Sequence, residues 1–153
     1  MIKGFRLGAG VIALLGIAGV AYAQMAPAPI TARQEAMKGQ GAASGAMAKM
    51  VKGETPWDKA AAVTALTTIN STAKKIPDLF KENVMAPAGV KNDALPAIWT
   101  NKADFDAKAK ALEEASGKIL ALAQAGNEAD VKAQMATFGR NCGGCHETYR
   151  MKH

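Results

Sequence analysis

The only two cysteines of this 153-residue chain, Cys142 and Cys145, stand two residues apart with His146 directly behind them. Cys-x-x-Cys-His is the spacing of a c-type haem attachment site. Two thiols add across the two vinyl groups of one haem to make two thioethers. The histidine gives its imidazole to the iron as the proximal ligand. On a helix the three residues fall at i, i+3 and i+4, on one face, where a flat macrocycle can meet them together. Other chemistries use the same residue types. A redox dithiol opens a helix after a strand, and no strand pattern is found here. A zinc site needs further ligands, and the only other histidine is the terminal His153. A disulfide across two residues closes a loop too small to add much stability. The cofactor expected is therefore one haem c, held covalently.

The opposite end of the chain fits that chemistry. Lys3 and Arg6 precede an uncharged run from Leu7 to Tyr22, and Ala21-Tyr22-Ala23 has the small-x-small form of a cleavage site. Residues 1–23 read as an export signal, with residues 24–153 as one haem-binding domain beginning at Gln24. The apolar run is shorter than the ~20 residues a spanning helix needs, so no stable membrane insertion is expected after cleavage. Periplasmic residence is expected, because haem is attached to c-type cytochromes outside the bacterial cytoplasm. Without Lys3 and Arg6 the formal charge falls from +6 to +4. Two ionised propionates lower it further. The basic side chains are scattered, which argues against nucleic acid as a partner.

The domain is rich in Ala, Lys, Leu, Glu and Gln, all helix formers. The pattern predicts an all-α, antiparallel four-helix bundle. After an extended lead over residues 24–29, the first helix runs from about Ile30 to Lys52 and stops at Gly53. One stripe of it carries Ile30, Arg33, Met37, Gly41, Ser44, Ala48 and Val51. Gly39, Gly41 and Gly45 suggest close approach of a haem face or of a crossing helix. The second helix is expected to start at Thr55 as N-cap with Pro56 in its first position. Pro77 should kink or end it. Residues 85–99 read as a long loop whose Trp99 tucks onto the bundle. A third helix is expected from about Asn101 to Gln124, stopped by Gly126. A fourth begins at the N-cap Asn127 and carries the haem motif to about Tyr149. Such bundles with cofactors in their cores are a known architecture, cytochrome c′ among them.

What fills the iron's sixth position decides the function. Methionine would raise the reduction potential and suit electron transfer. Met25 sits at the free end, and Met151 is too near the proximal histidine. Met135 precedes His146 by 11 residues on one helix, about 16 Å at 1.5 Å per residue. Met85 lies in the loop, and Met37, Met47 and Met50 lie on the first helix. Met37 shares its stripe with Arg33, one turn earlier, whose fork could hold a haem propionate. A methionine on a helical stripe also serves simply as core filler.

The whole domain resembles the class II cytochromes c, the cytochrome c′ group. The resemblance is carried by Arg33-Gln34-Glu35-Ala36-Met37-Lys38, by Lys52-Gly53-Glu54, by Leu95-Pro96-Ala97-Ile98-Trp99, by Ala103-Asp104-Phe105, and by Phe138-Gly139 with Cys142 through Arg150. In the high-spin members the position matching Met37 is a non-ligating residue such as leucine, and the five-coordinate iron binds small gases. In the low-spin cytochrome c-556 branch it is methionine and ligates the iron. The resemblance thus implies His146 and Met37 as axial ligands, and Arg33 and Arg150 near the haem edge. It implies an electron carrier that docks transiently on redox partner proteins. The alternative is a five-coordinate protein that binds nitric oxide or carbon monoxide. Relatives often dimerise through their first two helices, and Trp57 could serve such a homodimer or pack in the core. No residue set suggests an enzyme: there is no spare histidine and no Ser/His/Asp set, and Glu113-Glu114 reads as a solvated pair.

Overall fold

A computed structural model of the chain describes residues 25–152. The proposed export signal, residues 1–23, lies outside these residues, and so do Gln24 and His153. Four long helices, α1 (Ala28–Lys52), α2 (Lys59–Leu79), α4 (Lys102–Ala125) and α5 (Glu128–Tyr149), are joined by loops and by the one-turn α3 (Ala97–Thr100). The expected all-α bundle is what forms. α1 starts two residues before Ile30, because Pro27 as N-cap and Pro29 fit a first turn that needs no N–H partners. It ends at Gly53, whose φ of 74° is the left-handed conformation that only glycine adopts cheaply. Gly126 closes α4 in the same way, at φ 84°.

The start of α2 corrects the sequence reading. Thr55 and Pro56 stay outside the helix. Asp58 is the N-cap, and its carboxylate accepts from Ala61 N–H at 3.0 Å. Residues 54–57 remain non-helical while Trp57 lies half-buried with Lys132 Nζ 5.6 Å from its ring centre. Pro77 does not end α2, which continues to Leu79 and is capped by Phe80.

The core is formed where α2 packs on α1 and α4, and α4 on α5. Met47, Leu66, Ile69, Ile98, Ile119 and Val131 are among its most enclosed large apolar side chains. Each contributes about 1.5–3 kcal/mol relative to exposure. One polar lock sits inside: Asn70 Nδ2 on α2 donates to Glu113 O at 2.8 Å and to Ser116 Oγ at 3.0 Å on α4. α1 and α5 touch far less. Of the two close approaches the α1 glycines suggest, a haem face or a crossing helix, the crossing helix is absent. A Cβ at Gly39, Gly41 or Gly45 would meet nothing within 4 Å. The small residues leave bulk missing between α1 and α5, and that gap is where the cavity opens.

Candidate haem site

The gap is a cavity of about 690 Å³, within the 300–1,000 Å³ usual for a small-molecule or cofactor site. Cys142, Cys145, His146, Met37, Arg33 and Arg150 all line it. The six residues singled out from the sequence, spread over 118 positions from Arg33 to Arg150, are thus brought to one place. α5 delivers the two thiols and the imidazole at the predicted helical spacing. α1 delivers Met37 and Arg33. Ile76, Phe80, Ile98, Phe105 and Leu112 make much of the remaining wall apolar.

Met37 is the one methionine in this wall among the described residues. Met47 and Met50 are buried in the core, while Met25, Met85 and Met151 are exposed. Met135 packs against the core from the side. The structure therefore narrows the candidates that residue logic on its own left open.

Burial sets the protonation of the motif. It pushes both thiols above their usual pKa, with Lys108 opposing the shift at Cys145. It pushes His146 below the usual imidazole value, and the Arg150 charge adds to that. Above its depressed pKa the imidazole is neutral, the form that binds a metal.

Arg33 is only 4% exposed. Its Nε donates to Leu79 O at 2.7 Å, and Nη2 donates to Glu82 O. Its guanidinium lies over Phe80, 5.0 Å from the ring centre, and over Trp99 at 5.4 Å. The bidentate fork expected from the sequence is therefore largely spent on the α2 end. Nη1 remains, buried and without a hydrogen-bond partner among the described residues. An enclosed guanidinium with one unpaired nitrogen is costly unless an acceptor completes it. A haem carboxylate at the cavity edge is such an acceptor, so the residues present fit the group.

Arg150 is exposed and sits at the cavity mouth. The chain around it is strapped to the loop before α3. Leu95 N–H donates to Tyr149 O at 3.1 Å, and Met151 N–H to Asp93 O at 2.8 Å. Gln34 Nε2 holds the same loop from α1, donating to Lys91 O at 2.8 Å.

Sequence reasoning missed three cavity residues. Gln34 was quoted only as part of a matching string. Gln40 is 7% exposed, and its Oε1 has no partner among the described residues. Its signal was its place three residues after Met37. Tyr149, three after His146, lies edge-on to Phe105 with ring centres 5.2 Å apart, and its Oη donates to Asp104 Oδ2 at 2.5 Å. That bond pushes the phenol up to about 12.

Comparison with known proteins gives the same direction. Residues 28–150 match the family model described as Cytochrome C'. A cytochrome c-556 of Agrobacterium tumefaciens (strain II Chrys) is 43% identical over 122 residues, 78% of this chain and 94% of the relative. Cytochrome c prime from Shewanella frigidimarina is similar in structure with a TM-score of 0.70 at 29% identity, over 81% of this chain and 94% of that one. A nitric oxide complex of a mutant cytochrome c prime from Alcaligenes xylosoxidans is similar with a TM-score of 0.69 at 28% identity, over 82% and 94%.

Proposed function

The chain belongs to the cytochrome c′ family of class II cytochromes c and carries one covalently attached haem c; from that premise we propose that it is an electron carrier of the low-spin kind, with Cys142 and Cys145 as the thioether residues and His146 and Met37 as axial ligands. The observation that carries the reading is Met37 as the one methionine of the cavity wall among the described residues. When bound, the haem supplies one-electron exchange between ferric and ferrous iron.

The chain's own residues do the rest. Cys142 and Cys145 would hold the haem as thioethers, each thiol S–H adding across one vinyl group with the sulfur on one carbon and the hydrogen on the other. His146 offers a neutral imidazole, since burial and Arg150 disfavour its charged form. Met37 offers a thioether, and a His/Met pair raises the reduction potential. Two retained protein ligands leave little to rearrange when the electron arrives. Arg33 Nη1 would hold one haem carboxylate from inside, and Arg150 stands at the mouth. Ile76, Phe80, Ile98, Phe105 and Leu112 give the cavity its apolar wall. Docking on redox partner proteins takes place at that mouth, which is lined by Arg150, by Lys108 and by Lys91, the last two paired with Asp104 at 3.7 Å and Asp93 at 3.8 Å.

Residues 1–23 act as an export signal in this reading, and the domain works in the periplasm. Mass spectrometry of the exported protein should then give Gln24 as the first residue plus one haem. No helix among the described residues is long and apolar enough to cross a membrane. The protein is a carrier and not an enzyme.

A second reading is a gas-binding protein. The nitric oxide complex of the relative with 28% identity favours it. Absorption spectra decide between the two. A carrier gives low-spin ferric and ferrous spectra, a weak far-red methionine-to-iron band, and no response to carbon monoxide. Met37→Ala should convert it to a high-spin form that binds carbon monoxide. A native protein that is already high-spin, or a low-spin Met37→Ala variant, overturns the Met37 assignment.

A further inference from the structure

Gln40 is a buried amide whose oxygen has no partner among the described residues. It is 93% enclosed and lines the haem cavity. Leaving such a group unpaired costs about 1–3 kcal/mol. The haem cannot supply the missing donor, because its ring nitrogens are bound to iron and its ionised propionates only accept. Gln40 follows Arg33 by seven residues on α1, about 10.5 Å along the axis at 1.5 Å per residue. Met37 stands between them. If Arg33 marks the carboxylate edge and Met37 the iron, Gln40 lies beyond the iron from that edge. Ser44, one turn further along α1, lines the same cavity.

Buried water settles where two to four polar groups converge and lack other partners. Gln40 offers both an acceptor and a donor, and the Ser44 hydroxyl offers a second group. We propose that Gln40, with Ser44, forms a binding site for one water molecule on the Met37 side of the haem, so that Gln40 is a positioning residue for whatever takes the sixth position when Met37 leaves. This rests on Met37 being the axial ligand. The water donates to Gln40 Oε1 and is held beside the thioether. It is the first occupant of the position that the thioether vacates.

The test uses the ferric haem protein and resonance Raman markers of spin and coordination number. Met37→Ala should be high-spin and six-coordinate, with oxygen-17 water broadening its ferric electron paramagnetic resonance signal. M37A/Q40L should be high-spin and five-coordinate, with the broadening lost. M37A/Q40A should behave alike, so a leucine that does not fit leaves the test intact. Five-coordinate iron in Met37→Ala itself, or six-coordinate iron with undiminished broadening in both double variants, overturns the water site and leaves the Met37 assignment standing. A Met37→Ala protein that stays low-spin overturns the Met37 assignment first, and the proposal with it.

Discussion

Replacing Arg33 with methionine should destabilise the haem protein by about 3 kcal/mol. Methionine fills most of the space of the arginine stem, so the loss is mainly polar. Two charge-assisted bonds go, from Nε to Leu79 O at 2.7 Å and from Nη2 to Glu82 O. At ~1.5–3 kcal/mol for each bond to a charged group, the range is about 3–6 kcal/mol. Glu82 is exposed and its carbonyl regains water, which puts the loss at the lower end. The contacts of the guanidinium with Phe80 and Trp99 add about 0.5–1 kcal/mol, which offsets part of that discount. The assay is urea unfolding followed by far-ultraviolet circular dichroism. With a slope of about 2 kcal/mol per molar, the midpoint should fall by about 1.5 M with the slope unchanged. Arg33→Lys should recover less than half, since one ammonium cannot reproduce the planar fork. A midpoint shift under about 0.3 M for Arg33→Met would refute the reasoning, because it would mean that neither carbonyl depends on the guanidinium.

Tyr149 should titrate far above an ordinary phenol. The Asp104 hydrogen bond leads in pushing it up to about 12, from about 10 in the unfolded chain. A folded pKa raised above the unfolded one gives stability that is whole below about pH 10 and is lost as pH climbs through about 12. In a chain lacking residues 1–23 Tyr149 is the sole tyrosine, and tyrosinate absorbance that rises with a midpoint near 10 while the protein stays folded would count against the Asp104 bond. Asn70→Ala removes both bonds from α2 to α4 and should cost about 2 kcal/mol in urea unfolding; a loss below about 0.5 kcal/mol would show that the lock is idle.

Much of the fold follows from local rules, and those parts were readable. Gly53 and Gly126 end their helices because a positive φ is cheap for glycine alone, a property of one residue in any context. The start of α2 was misread because Thr55 and Asp58 are both good caps. Three residues decide between them, and the half-buried Trp57 lies in those three. Pro77 by type should kink or end a helix, and packing of Ile76 and Leu79 carries α2 two residues past it. The α1 glycines allow either a haem face or a crossing helix by type alone; no crossing helix meets them, and Gly41 lies in the cavity wall.

The amino-acid sequence by itself determined the haem, the attachment spacing and the all-α class. These rest on covalent chemistry and on helix periodicity, which need no distant neighbour. Only the tertiary structure decided which methionine faces the cavity, because Met37, Met47 and Met50 share one helix and differ only in what packs against each. It decided that Arg33 spends two of its nitrogens on the end of α2 and keeps one, since those carbonyls lie 46 and 49 residues away. It also decided that Gln40, a surface residue by type, is enclosed beside Met37. Burial is a property of the assembled bundle, and a polar side chain becomes a site only when the helices around it take its water away.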